Sequence, residues 1–140
     1  MNILVDTSIW SLALRRRVTD LTAADVVLRN HASELIEEGR IRMIGPIRQE
    51  LLSGIRERRQ YLELRDRLRA FPDESLNSGD YEQAAQMYNQ CRAAGITATP
   101  IDLLICAVAF ERQWEVFSND RDFDRFAVIL SFRLHRPQPH

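Results

Sequence analysis

Carboxylates stand at well-separated places in the chain where an apolar run ends or a helix begins: Asp6, Glu50, Asp102 and Asp120, the last followed closely by Asp122. Carboxylate oxygens are the ligands that Mg²⁺ and Mn²⁺ prefer. One or two such cations, about 4 Å apart when paired, activate water and stabilise the charge that develops on a phosphodiester. The pattern therefore indicates metal-assisted hydrolysis, provided that the fold brings the acids together.

The elements around these acids predict that the fold brings them together. Short apolar runs at 3–5, 41–44, 115–117 and 128–130 alternate with longer helical stretches, which predicts an α/β fold with a largely parallel sheet. In such folds the carboxyl ends of the strands and the N-termini of the helices share one edge, where ligands bind. Because the acids follow strands or lie in early helix turns, all of them are expected on one rim.

Capping signals set the bounds of the helices. A helix is predicted from Thr22 to Glu38, and Thr99 and Pro100 open a strongly apolar helix that is expected to be central and buried. Thr7 or Ser8 is expected to cap the first helix. Residues 122–126 are predicted as a short turn or helix.

The composition bounds the class of protein. The 140 residues suit one domain, expected over 1–132 with a loose tail at 133–140. The 45% hydrophobic and 28% charged content is typical of a globular chain, and a net charge of −1 gives no global attraction for a polyanion. No apolar run approaches the roughly 18 residues of a membrane span, and no secretory signal is recognisable. Cys91 and Cys106 form no Cys-x-x-Cys pair, so a cytoplasmic location is expected.

All nineteen basic residues are arginine, and this prunes the alternatives. A Walker-type ATPase needs a lysine in its phosphate loop, and Schiff-base chemistry needs a lysine amine. Response-regulator-like domains also gather aspartates at a sheet edge, but they place a lysine beside them. None of these readings fits in its standard form.

Other polar side chains lie near the acids in sequence. Thr7, Ser8 and Asn119 could hold a water or a phosphate oxygen, although capping explains the two hydroxyls equally well. The histidines share no motif; they are His31, His135 and His140.

Four segments together resemble the PIN domain, and in particular the VapC toxins of bacterial toxin–antitoxin pairs. They are Val5-Asp6-Thr7-Ser8, residues 48–54 around Glu50, residues 101–107 around Asp102, and residues 118–123 around Asp120 and Asp122. The resemblance implies a three-layer α/β/α sandwich and a Mg²⁺- or Mn²⁺-dependent endoribonuclease. It also implies that Asp6, Glu50, Asp102 and Asp120 form an acidic quartet, with Asp122 a second, more variable acid.

The resemblance implies partners as well. Proteins of this kind dimerise, and a small antitoxin covers the acidic site with its tail, so a homodimer and a hetero-oligomer are expected. An apolar groove for a partner helix is expected at Trp10 and Leu14. Candidate RNA contacts, chosen because arginine suits bidentate phosphate binding, are Arg15, Arg16, Arg17, Arg48 and Arg121.

Two other functions stay open at this point. One is a noncatalytic PIN-like RNA-binding or scaffold protein in which the acids only assist folding. The other is a phosphatase-like hydrolase with Asp6 as nucleophile. The latter is disfavoured because Asp6-Thr7-Ser8 lacks the Asp-x-Asp arrangement of haloacid-dehalogenase-type enzymes.

Overall fold

A parallel sheet of four short strands forms the centre of the chain. The computed structural model describes residues 1–15 and 17–137. The elements in chain order are β1 (Ile3–Val5), α1 (Thr7–Trp10) with a π-helical continuation (Ser11–Arg15), a 3₁₀ turn (Val18–Asp20), α2 (Ala23–Glu37), β2 (Ile41–Arg42), α3 (Gly45–Leu52), α4 (Arg58–Leu68), α5 (Ser78–Ala93), α6 (Pro100–Arg112), β3 (Glu115–Phe117), α7 (Asp122–Ile129) and β4 (Arg133–Leu134). The strand order is β2-β1-β3-β4.

Helices cover both faces of this sheet. The chain leaves β1 in one direction to reach β2, then returns past β1 to reach β3. Because parallel crossovers are right-handed, these two moves place α2 on one face and α5 and α6 on the other. The helix α6 contacts β1 and β3, and α7 packs on β4 beside α5. The predicted α/β/α sandwich with a parallel central sheet is therefore confirmed.

The helix α6 lies at the centre of the hydrophobic core, as its apolar sequence predicts. Every residue from 103 to 109 is buried, so the helix is enclosed on all sides. Its most extensive contact is with α5, which buries Ala84, Met87 and Cys91 on the facing side. Across the described ranges, no helix combines the length and the apolar character that a membrane span requires.

Two predictions about local structure are corrected. The first helix is capped by Asp6, whose carboxylate accepts the Ser8 N–H, and not by Thr7 or Ser8. Residues 128–130, predicted as a strand, mostly continue α7, in which Phe123 and Phe126 point inward one helical turn apart while Val128 is 83% exposed. Helical spacing of the aromatic residues outweighs the short β-branched run.

The last strand comes later than predicted. Arg133 and Leu134 pair in parallel with Glu115 and Val116, and the His135 N–H donates to the Val116 carbonyl at 2.7 Å. The segment expected to be loose from residue 133 thus begins with an edge strand. A strand this short is set by pairing with its neighbour, which a local sequence pattern does not report.

A buried ion pair fixes the far end of α6. Arg112 donates from two guanidinium nitrogens to both oxygens of Asp80, at 2.8 and 3.0 Å, and from Nε to Glu74 at 3.2 Å. The Asp80 side chain is only 3% exposed. The hydrogen bond from Arg112 holds the pKa of Asp80 below its ordinary value. The pair therefore joins the start of α5 to the end of α6.

We expect the Asp80→Asn substitution to lower the free energy of unfolding by about 2–4 kcal/mol at neutral pH, because it removes the buried anion and leaves the partly buried Arg112 charge with Glu74 as its remaining anionic partner. Since the folded pKa of Asp80 is depressed, the stability from this pair is present above the unfolded pKa of about 4 and is lost as the pH falls. Urea denaturation at neutral and acidic pH measures both effects. Asp66→Asn, at an exposed ion pair on α4, is the matched control and should cost under about 0.5 kcal/mol. An equal loss at both pH values would contradict this assignment.

Candidate active site

The candidate site lies where β1 and β3 run side by side. These strands are parallel neighbours, with Val5 opposite Phe117, and the chain leaves them toward opposite sides of the sheet. In open α/β sheets this topological switch point is where ligands bind. The Asp6 N–H donates to the Phe117 carbonyl at 2.9 Å. This bond fixes the residues after β1 against those after β3.

Asp6 is the buried anchor of the site. The residue is 6% exposed. Its Oδ2 accepts three hydrogen bonds: from Ser8 N–H at 3.3 Å, from Ser8 Oγ–H at 2.8 Å and from Ser118 Oγ–H at 2.8 Å. Buried carboxylates require partners of this kind. No hydrogen bond found within residues 1–15 and 17–137 reaches Oδ1, so that oxygen is available to a ligand.

Ser118 is the site residue that sequence reasoning missed. Its hydroxyl donates to Asp6, and its oxygen accepts the Asp120 N–H at 3.0 Å. Ser8 completes the bridge by accepting the Asn119 N–H at 2.9 Å. The two serines thus connect the loops that carry Asp6 and Asp120. A signal for Ser118 was available, because it is the first polar residue after a buried strand.

Asp102 joins the site from the first turn of α6. Its N–H donates to the Thr99 hydroxyl at 3.2 Å, which caps the helix. Burial raises the pKa of the Asp102 carboxyl, and the negative charges of Asp6 and Asp120 raise it further. Three of the four predicted quartet members therefore lie close enough to repel one another.

The same charges act on the thiol one turn along α6. Burial raises the pKa of Cys106 well above its ordinary value, and the charges of Asp102 and Asp6 add to the effect. A thiol held in its neutral form is unreactive as a nucleophile. Cys106 is therefore packing beneath the site.

The remaining acids are either exposed or paired with a basic side chain. Asp120 is exposed, and its Oδ1 accepts the Asp122 N–H at 2.9 Å. The Asp122 carboxylate is paired with Arg125 on the next helical turn. Glu50 is exposed on α3, in the second turn after β2. The metal-ligand roles of Glu50 and Asp122 stay predictions.

The donor set suits a hard divalent cation. Within the described ranges, no three His, Cys, Asp or Glu side chains form an arrangement that could hold a metal ion as it stands. The chemistry nevertheless fits, since Asp6, Asp102 and Asp120 supply carboxylate oxygens. Burial, and after it the charges of Asp6 and Asp120, raise the pKa of Asp102, and a cation would offset both effects. Binding would require the exposed acids to turn inward.

The predicted supporting residues have different surroundings. Thr7 Oγ1 is buried with no hydrogen-bond partner among the residues described. Ser8 contacts both loops, as described above, while the Asn119 side chain is exposed. Trp10 is buried and packs edge to face on Phe71 with ring centroids 4.8 Å apart. The groove predicted at Trp10 is therefore wrong, because the indole belongs to the core.

The predicted RNA-binding arginines also have different surroundings. Arg48 is committed to the fold: its guanidinium donates to Asp73 Oδ1 at 2.9 Å and to the Leu68 and Phe71 carbonyls. Arg17 and Arg121 are exposed. Arg16 and the side chain of Arg15 lie outside the described residues, so those predictions stand untested.

We expect the Asp102→Asn variant to melt a few degrees higher than the parent protein in EDTA, the shift that about 1 kcal/mol produces in a domain of this size. The folded pKa of Asp102 is raised, so its charged form costs stability above that pKa, and the amide removes this cost. Mg²⁺ or Mn²⁺ should then stabilise the parent more than the variant. Thermal unfolding with and without cation tests this, with Asp66→Asn as the matched control. A variant that melts lower in EDTA would show that the carboxylates do not repel.

Comparisons with known proteins show the family and the fold of this chain. A family model described as the PIN domain matches residues 3–129. Ribonuclease VapC11 of Mycobacterium tuberculosis and VapC ribonuclease Mb1587 of Mycobacterium bovis are each 33% identical over 133 residues, which cover 94% of this chain and 96% of the relative.

Solved structures show the same fold. One is VapBC2 from Rickettsia felis bound to a DNA fragment from its promoter, with a TM-score of 0.74, 16% identity and coverage of 96% of this chain and 98% of the other. Another is FitAcB from Neisseria gonorrhoeae, with a TM-score of 0.70, 20% identity and coverage of 94% and 96%. The chain therefore belongs to the PIN-domain family, in its VapC branch.

Proposed function

We propose that this protein is a Mg²⁺- or Mn²⁺-dependent endoribonuclease and the toxin of a toxin–antitoxin pair that acts in the cytoplasm. The proposal is supported by one arrangement: Ser118 bridges Asp6 and Asp120 beside the paired strands β1 and β3, and the charges of these two acids help to raise the pKa of Asp102. Its support from relatives is that two proteins of one-third identity, aligned along nearly their whole length, are named ribonucleases.

The residues of the chain have separate tasks in such a reaction. Asp6 is held in one orientation by Ser8 and Ser118 through Oδ2, which leaves Oδ1 as its candidate ligand atom. Asp102 is fixed by the start of α6, and Asp120 and Glu50 are free to close on the substrate from the loop after β3 and from α3. When bound, the cation supplies activation of water and neutralisation of charge on the phosphodiester.

RNA positioning falls to groups around this rim. The N-terminus of α6 directs backbone N–H groups and positive potential toward the edge of the sheet. Arg17 and Arg121 are exposed and free of protein ion pairs within the described chain. Guanidinium groups that bind phosphates release condensed counterions, and this release favours binding less as the salt concentration rises, so RNA binding should weaken with salt.

A cleft lined by residues of the first helical segment and of α4 is the candidate surface for an antitoxin helix. Leu14, Ile55 and Leu64 line an open cleft that is edged by Arg56 and Arg67. The lining is mostly polar and includes Glu57 and Glu63, and a few apolar side chains among charged groups suit an amphipathic helix. The similarity to VapBC2 supports a partner of this kind.

A homodimer is proposed through a separate apolar face. Tyr81 and Tyr88 of α5 form a hollow with Pro46, Pro100 and Ile101, and Tyr81 is 53% exposed. An apolar hollow with an exposed aromatic edge is typical of a subunit contact. Pairing of two copies there would place two acidic sites on one particle.

A noncatalytic RNA-binding or scaffold protein is the second candidate. The observation that favours it is that the described residues hold no completed three-ligand metal site. In that case the acids would bind a cation only weakly, and RNA would bind without being cut.

We expect purified, antitoxin-free protein to cut cellular RNA into discrete fragments with Mg²⁺ or Mn²⁺ and not with EDTA. Asp6→Asn and Asp102→Asn should each reduce the rate by about 100-fold or more, because each removes a carboxylate that would hold the cation. Gel analysis and sequencing of fragment ends measure rate and specificity together.

The matched control is Asp66→Asn, which makes the same chemical change at an exposed position of α4 and should keep full activity. Intact RNA from folded protein that binds the cation would favour the noncatalytic candidate. Equal cleavage by the parent and the two site variants would mean that the activity comes from a contaminant or from another site.

A further inference from the structure

Two histidines far apart in sequence meet on the face of the sheet opposite α6. His31 projects from α2, and His135 follows β4. Their Nε2 atoms are 2.7 Å apart. The rings are nearly parallel, at 9°, with centroids separated by 5.0 Å. The centroid distance exceeds the Nε2–Nε2 distance by about two centroid-to-nitrogen lengths, so the rings meet head to head and do not stack face to face.

This geometry requires one proton between the rings. His135 Nδ1 is 2.9 Å from Glu115 Oε1, which places a hydrogen on that nitrogen and leaves Nε2 as a lone pair. His31 must then donate from Nε2. The Nδ1 atom of His31 is 3.5 Å from Glu34 Oε2, so the Glu34 carboxylate would stabilise a proton added to that nitrogen. The pair is therefore closed with His31 neutral or singly charged.

A second charge on the pair is incompatible with the contact. If both rings carried hydrogens on both nitrogens, two N–H groups would face each other across 2.7 Å. Neither could donate, and two positive charges would be in contact. The rings must then separate.

The contact fastens the C-terminal segment to the body of the protein. Both rings lie edge to face on Phe117, at centroid distances of 5.5 and 5.4 Å. The His135 N–H donates to the Val116 carbonyl, and the next residue, Arg136, pairs with Asp124 of α7. The segment thus lies across α2, β3 and α7.

We propose that His31 and His135 form a proton-operated clamp, which fastens residues 133–137 to α2 and β3 while the rings share one proton and opens when the pair takes up a second. The clamp is independent of the proposed nuclease activity. It uses no residue of the acidic site.

The surrounding charges set the pH at which it opens. Burial lowers the pKa of His31, and the neighbouring His135 lowers it further, while Glu34 and Glu38 of α2 oppose the shift. The closed pair binds fewer protons than the open segment below the ordinary histidine pKa of about 6.5, so closure is favoured above that pH and is lost below it. The other charged groups nearby are Glu115 on β3, Arg133 beside the Gln113 carbonyl, and Arg136 with Asp124.

The test is hydrogen exchange at the His135 amide, followed by NMR between pH 7.5 and pH 5. Opening coupled to one proton should reduce protection, corrected for intrinsic exchange, by about tenfold per pH unit below about pH 6. His31→Gln should abolish this pH dependence, because a lone His135 can be protonated without repulsion. His140→Gln, the same change at the third histidine of the sequence, should retain it.

A direct measurement protects the test against an unstable variant. Nitrogen-15 shifts of the parent protein should show His135 protonated on Nδ1 and His31 on Nε2 at pH 7.5, with coupled titration of the two rings. Independent single-site titrations, or protection that does not change with pH, would overturn the clamp. Loss of the pH step in His140→Gln would also overturn it. Opening of the pair by EDTA at pH 7.5 would do the same, because it would show that a metal ion and not a proton joins the two rings.

Discussion

The site depends on the pairing of β1 with β3. Each strand is only three residues long, and the Asp6 N–H extends their ladder by bonding to the Phe117 carbonyl. Side-chain bonds from Ser8 and Ser118 to one carboxylate oxygen continue the same connection beyond the strands. A backbone pairing is thereby converted into a fixed position for a charged group. The acids that converge there come from opposite ends of the chain, so no local element could hold them.

In the proposed cation site, two acids are held in place and two are exposed. Asp6 is buried and fully oriented, and Asp102 is set by the first turn of a helix that the core encloses. Asp120 and Glu50 are exposed and have no comparable restraint in the described chain. Repulsion among the carboxylates opposes bringing them together, and the packing of the rigid core around α6 holds them in place despite it.

Much of this arrangement was predictable, and its failures have physical reasons. The strands at 3–5 and 115–117, the apolar α6 and the position of the acids follow from hydrophobic runs and capping residues. Ser118 was missed because a single hydroxyl has no periodic signal and its bonds to Asp6 span 112 positions. The edge strand at Arg133 was missed because its partner defines it. The pairing of His31 with His135 across 104 positions was likewise beyond any local pattern.

Bonding between Asp6 and Ser118 also sets the order of events during synthesis. Asp6 is synthesised 112 residues before Ser118, and β3 and Asp120 lie in the same later part of the sequence. Until then β1 has no neighbour on that side, and Asp6 lacks one of the two hydroxyls that orient it. A chain that has not yet reached β3 therefore lacks part of the hydrogen bonding that orients Asp6.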